Sequence, residues 1–256
     1  MAAAVAYAGL TLVLLLAQRA LLYPGATGGP IAADHWGETV EILTADGERL
    51  SALHSAAQQG HPTVLYFPGN ADRIDRYGFL GQGLASRGFG LLALSYRGYP
   101  GSTGAPTEAG RIADGLAAYD WLASRSAGPI VLVGQSLGSG VAVAVAAERQ
   151  PAGLALISAY DSVLALARKA YFFLPVGLFL KDPFRSDLRI GRVGTPKLFV
   201  HGRRDTLVPV GHGEALFLQT PEPKRMVILD EAGHNDIWSE RLLREIADFV
   251  SEVTRH

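Results

Sequence analysis

The sequence predicts an α/β domain on a mostly parallel sheet of about eight strands, covered by helices on both faces and preceded by a separate hydrophobic helix. Three observations lead there. From residue 63 onward short apolar runs alternate with segments of helical period, the pattern of βαβ units. Ahead of them two extended segments flank Asp46-Gly47, a hairpin signal. No repeat of roughly 20 to 50 residues and no low-complexity tract divides the chain, and its 256 residues suit one α/β unit.

Composition narrows the function classes. With no Cys, the chain has no disulfide framework, thiol catalysis or zinc site built on thiolates. The 23 basic and 24 acidic side chains leave a net charge of -1, which gives no basic field for nucleic acid.

Residues 1–23 are expected to form the hydrophobic helix. Arg19 is the only charge before Asp34, residues 2–17 are uncharged, and Pro24-Gly25 break the run after Tyr23. A membrane core of roughly 30 Å needs about 20 helical residues, so residues 2–22 span it if Arg19 snorkels to the interface beside Tyr23. We read this segment as a single-pass membrane anchor. The competing reading is a signal cleaved from a secreted or periplasmic protein, which would want a basic start and small residues at the cleavage site. No Lys or Arg precedes the run, and Leu15 and Ala17 before Gln18 are the best available pair. A buried accessory helix is the third possibility.

Residues 24–37 read as a linker and 38–256 as the domain. In it, 40–43 and 50–53 form the hairpin. Strands are expected at 63–67, 90–95, 130–133, 154–158, 198–200 and 226–229, short apolar runs suited to burial on both faces. Helices are expected at 74–86, along the stripe Ile112, Leu116, Tyr119 and Leu122, and at 137–147, 211–218 and 237–250. Residues 160–195 exceed an ordinary connection and contain the apolar run 171–180. They read as a small helical cap, with a plain crossover helix and loose tail as the alternative.

The chemistry centres on Gly134-Gln135-Ser136-Leu137-Gly138, a G-x-S-x-G pentapeptide that follows a strand and opens a helix. That turn exposes the Ser136 hydroxyl, and its glycines lack the β-carbons that would collide across it. A serine hydroxyl is a weak nucleophile and needs a base, which needs an acid to orient it. Asp205 follows the strand 198–200, and His234 follows 226–229. Asp161 and Asp230 are weaker candidates for the acid and His212 for the base. The oxyanion donors are read as the Leu137 amide, at a helix N-terminus, and the Asn70 amide in the Gly turn after residues 63–67. Tyr96, Tyr160, Phe172 and Phe173 are the candidate substrate-binding residues. Histidines 35, 54, 61, 201 and 256 show no metal spacing, so neither metal nor cofactor is expected.

At these residues the chain resembles the α/β-hydrolase superfamily, and within it the membrane-anchored α/β-hydrolase-domain-containing serine hydrolases. The resemblance runs from about residue 40 to 250 and rests on Gly69-Asn70, Tyr96-Arg97-Gly98-Tyr99-Pro100-Gly101-Ser102, Gly134 to Gly140, His201-Gly202 with Asp205, and Gly233-His234-Asn235. It implies the α/β-hydrolase fold and ester or thioester hydrolysis through an acyl-enzyme, with Ser136, Asp205 and His234 as triad and Asn70 and Leu137 as oxyanion donors. Pro68 replaces the family's common His before the oxyanion turn, and Pro100 interrupts the fourth-strand motif.

The expected function is therefore a membrane-tethered esterase or thioesterase acting on a small-molecule or lipid-like acyl substrate. Two alternatives stand beside it. One is a serine peptidase using the same triad, with Asp161, Lys181 or Asp182 anchoring a peptide terminus. The other is a non-catalytic binding protein on the hydrolase fold. Dehalogenase chemistry is excluded because Ser136 occupies the elbow where a carboxylate would be needed.

Overall fold

The computed structural model describes residues 1–32 and 36–255. Residues 33–35 of the expected linker, with His35, and the terminal His256 lie outside the described residues.

Helix α1 (Ala2–Leu22) is long and apolar enough to cross a membrane, with a mean hydropathy of 1.8 in its most apolar window. Thr11, Leu14, Leu15, Gln18 and Leu22 are half-buried along one stripe, at the three- and four-residue spacing that aligns side chains on a helix face, with Ala17 half-buried beside it. Tyr23 then drops into the core, where its ring and those of Tyr96 and Tyr99 surround the Arg111 guanidinium.

Strands β1 (Glu38–Leu43) and β2 (Arg49–Ser55) pair antiparallel. Their connection is a five-residue loop, residues 44–48, rather than a tight two-residue turn. Only Gly47 in it takes a positive φ, because Asp46 is held by the Thr44 hydroxyl at 2.6 Å and by Arg97. The parallel strands are β3 (Thr63–Phe67), β4 (Gly90–Leu94), β5 (Ile130–Gln135), β6 (Gly153–Ile157), β7 (Lys197–Gly202) and β8 (Lys224–Leu229). Among the described residues they complete one eight-stranded sheet in the order β1-β2-β4-β3-β5-β6-β7-β8. The chain builds outward from β3 to β4 and then continues on the other side of β3 with β5. This reversal puts the crevice beyond the carboxyl ends of β3 and β5, where open α/β sheets bind ligands.

Helices α3 (Glu108–Ala123), α4 (Leu137–Glu148) and α7 (Val210–Gln219) cover one face, and α2 (Gly78–Ala85) and α8 (Glu240–Val253) the other. The strand pattern supplies both cores: in β3, Leu65 and Phe67 face the first set of helices and Val64 and Tyr66 the second.

Two helices differ from their expected bounds for local reasons. The segment 74–86 is divided into a 3₁₀ turn, Ile74–Tyr77, and α2, which is rich in glycine where Trp36 packs over Gly78 and Gly81. Helix α8 begins at Glu240 because the Ser239 hydroxyl caps the Leu242 amide, which leaves Trp238 outside the helix.

Between β6 and β7 lie two short helices, α5 (Val163–Ala170) and α6 (Val176–Phe179), and a 3₁₀ turn, Ile190–Arg192. The segment is bolted to the amino end of α3. Asp182 accepts the Glu108 amide, and the Glu108 carboxylate accepts from the Phe184 amide and Arg189. A carboxylate at that end of α3 is also favoured by the helix dipole.

Candidate active site

Ser136 stands between the end of β5 and the start of α4 with φ 50° and ψ -124°, a conformation that costs a non-glycine residue of order 1–3 kcal/mol. Close packing holds it there. A β-carbon on Gly134 would lie 2.6 Å from the Gly138 carbonyl oxygen, and one on Gly138 would run into the Phe67 and Pro68 carbonyls. Helix α4 therefore rests directly on the end of β3. The Ser136 amide donates to the Ile157 carbonyl at 2.9 Å, which fixes the elbow against β6.

His234, in the loop after β8, reaches Ser136 Oγ with Nε2 at 3.0 Å and Asp205 Oδ2 with Nδ1 at 2.7 Å. With Asp205 ionised, Nδ1 is the donor, so Nε2 is left to accept from the serine hydroxyl. Asp205, in the loop after β7, has a fully buried carboxylate whose Oδ1 accepts the Leu207 and Val208 amides at 3.0 and 2.7 Å. Burial alone would raise its pKa. The His201 and His234 imidazoles and the Val208 amide outweigh it and hold Asp205 well below the usual carboxylate range. The weaker sequence candidates lie elsewhere: Asp161 pairs with His212 at 2.8 Å, and the exposed Asp230 pairs with Arg203.

Two residues inside the quoted motifs have supporting roles that the sequence did not assign them. His201 Nε2 donates to the Val208 carbonyl at 2.8 Å, steadying the loop that holds Asp205. Gln135 occupies the variable position of the pentapeptide. Its Oε1 accepts from Tyr66 at 2.7 Å, Trp238 at 2.9 Å and Tyr77 at 3.2 Å, which links the elbow to the loop carrying His234.

Leu137 is the first residue of α4, so its N–H has no intrahelical acceptor. The Gly69-Asn70 turn faces it across Ser136, close enough that a β-carbon on Gly69 would lie 3.6 Å from the Ser136 Cβ. Asn70 is held by three groups. Its carbonyl accepts from the Gly25 amide and the Tyr99 hydroxyl, and its side-chain amide donates to the Leu22 carbonyl.

A cavity of about 520 Å³ opens beside Ser136, Leu137 and Asn70. Leu166, Leu174 and Phe179 line it from the segment between β6 and β7, and Leu14, Leu15 and Leu22 from α1, a contribution the sequence did not suggest. Lys169 is the sole charged side chain in that lining among the described residues.

Of the four expected substrate-binding residues, Tyr160 lines this cavity, and its hydroxyl donates to the Leu137 carbonyl at 3.2 Å. Three do not. Tyr96 is fully buried beneath Arg111, whose guanidinium lies 4.0 Å from its ring, so it supports the wall from behind. Phe172 and Phe173 are 84% and 46% exposed because the turn after α5 aims them outward and puts Tyr171 and Leu174 on the cavity. Among the described residues no group of three or more His, Cys, Asp or Glu is arranged to hold a metal ion.

The chain is similar to several known proteins. Residues 58–174 match the family described as serine aminopeptidase, S33. The uncharacterized protein Rv2307c of Mycobacterium tuberculosis is 37% identical over 228 residues, covering 86% of this chain and 81% of that one. The human alpha/beta hydrolase domain-containing protein 17B is 30% identical over 221 residues, covering 82% of this chain and 73% of the relative. The Pf2001 esterase of Pyrococcus furiosus superposes with a TM-score of 0.70 at 22% identity over 89% of this chain and 100% of that one, a likeness of fold.

Proposed function

The chain belongs to the α/β-hydrolase superfamily, and from that premise we propose that it is a serine hydrolase of carboxylic esters or thioesters, acting through an acyl-enzyme on Ser136. The observation that carries the reading is the hydrogen-bonded series Ser136, His234, Asp205 beside an apolar cavity. In the first half-reaction the Ser136 oxygen bonds to the acyl carbonyl carbon while His234 Nε2 takes the hydroxyl proton. The negative charge on the carbonyl oxygen is met by the Leu137 and Asn70 amides. Collapse of the intermediate expels the alcohol or thiol, which takes the proton from His234. Water then attacks the acyl carbon, giving its proton to the same nitrogen, and the carboxylic acid leaves as Ser136 is regenerated. Asp205 stays ionised throughout and fixes the imidazole tautomer.

The family match to serine aminopeptidases favours a second reading, peptide cleavage by the same residues. An aminopeptidase needs an anion for the substrate's terminal amine. The cavity lining offers no carboxylate, Asp182 is engaged by Arg19 and the Glu108 amide, and Asp161 is engaged by His212. The apolar lining supports an acyl chain instead. Helix α1, apolar on every side and with no residue fully buried, supports a membrane-bound protein.

A fluorophosphonate probe tests the assignment. The full chain should be labelled, and Ser136→Ala should lose the label together with ester turnover, by about 10⁶-fold in kcat. Wild-type protein that folds yet takes no label, or peptide amides turned over faster than acyl esters, would overturn it.

A further inference from the structure

Helix α1 is more than a tether. From Tyr7, whose hydroxyl donates to the Phe173 carbonyl at 2.9 Å, to Arg19, which pairs with Asp182, it lies along the segment between β6 and β7 for about 18 Å of axis, and one turn on the Leu22 carbonyl accepts from Asn70. Polar bonds pin it at the carboxyl-terminal end of that path. Gln18 accepts the Lys181 amide at 2.8 Å, and Arg19 pairs with the buried Asp182 at 2.9 Å. The stripe that faces inward, Leu14, Leu15, Gln18 and Leu22, is the stripe that lines the cavity.

The mouth of the cavity is apolar as well. Leu21, Tyr171 and Phe179 line it and are themselves exposed, and they adjoin the outward faces of α1 and α6 with Leu12, Leu16 and Leu178. An exposed apolar surface of this extent is unfavourable in water and suited to lipid.

We infer that α1 is a substrate-binding element, its inner stripe forming one wall of a channel that receives the hydrocarbon chain of a membrane-resident acyl ester or thioester. The inference rests on the hydrolase reading above. The occupant follows from three features: continuity with Ser136, an aliphatic and aromatic lining, and a mouth that opens onto the surface a bilayer would cover. An acyl chain leaving the leaflet would pass between α1 and α5–α6 without crossing water, with its carbonyl carbon arriving at Ser136.

The test is chain-length selectivity of the full chain in phosphatidylcholine vesicles. Leu15→Trp, and independently Leu166→Trp on the opposite wall, should lower the ratio of kcat/KM for a palmitoyl ester to that for a butyryl ester by about tenfold or more. Leu16→Trp, on the outward face, should leave the ratio unchanged. A palmityl fluorophosphonate with a terminal diazirine, attached at Ser136 and then photolysed, should cross-link to residues 11–22 and 163–179. Labelled protein with an unmoved ratio in both wall variants, or with cross-links confined to other segments, overturns the inference and leaves the hydrolase reading intact. Absence of label at Ser136 in folded protein overturns the hydrolase reading itself.

Discussion

The side-chain amide of Asn70 donates to the carbonyl of Leu22 across 3.0 Å, so the last residue of the N-terminal helix is bonded to the turn that faces Ser136. The same turn is held from its other side by the Gly25 amide and the Tyr99 hydroxyl. The oxyanion donor proposed at Asn70 is therefore positioned in part by residues 22–25, outside the sheet and its helices.

Asn70→Ala keeps the backbone N–H and removes only the bond to Leu22. A complete loss of one oxyanion donor costs about 10²–10³ in rate, so a loosened donor should cost less, about tenfold in kcat. The donor acts on the developing anion, so KM for a short-chain ester should stay within about twofold. Steady-state kinetics separates this from a structural effect: a fall in melting temperature with kcat unchanged would remove Asn70 side-chain positioning from the mechanism.

Asp205→Asn should lower kcat by about 10⁴-fold, because an amide presents the wrong partner to His234 Nδ1 and releases the tautomer. The same variant changes the pH dependence of stability. Asp205 has its pKa depressed in the folded protein, so its contribution is present above the unfolded value of about 3.9 and is lost as pH falls through the folded value. Wild-type protein should thus lose stability on acidification below about pH 3.9 more steeply than Asp205→Asn. Thermal unfolding across acidic pH checks this, and identical slopes would contradict it.

Gln135→Leu should destabilise the fold by about 2–4 kcal/mol in urea denaturation. Leucine fills a similar volume but accepts no hydrogen bond, leaving the Tyr66 and Tyr77 hydroxyls and the Trp238 indole without the acceptor they share. Because Trp238 lies four residues beyond His234, the variant should also reduce turnover. A stability change below about 0.5 kcal/mol would show that other groups satisfy the three donors.

The strands and the elbow were legible because local pattern decides them. Residues 64–67 are hydrophobic in unbroken succession because β3 is covered on both faces, and Gly134 and Gly138 are needed wherever a helix rests on a neighbouring strand end. Asp205 and His234 were legible because each closes a strand at one end of the sheet, where loops converge. The lining of the cavity was not. Phe172 and Phe173 are as apolar as Leu174, and the turn after α5 alone decides which of them faces inward. The role of α1 was hidden for a related reason: its composition is apolar on every side, so no periodicity marks the stripe that packs against the rest of the chain. Gln135 carries no signal either, since its partners Tyr66, Tyr77 and Trp238 lie 58 to 103 residues away.

The pairing of Arg19 with Asp182 gives the docking of α1 its own energetic signature. Arg19 is 45% exposed on its side chain, so solvent screens the pair and Arg19→Ala should cost no more than about 1 kcal/mol. Asp182 is buried and also accepts the Glu108 amide at the start of α3. Asp182→Ala should therefore cost more, about 3 kcal/mol, by leaving that amide unsatisfied as well. In a double-mutant cycle the second substitution should matter less once the first is made, with a coupling of about 0.5–1 kcal/mol that shrinks as salt is added. A coupling of zero at low salt would mean that α1 is not latched at Arg19, and the bonds at Tyr7, Gln18 and Asn70 with the packing of its inner stripe would then hold it.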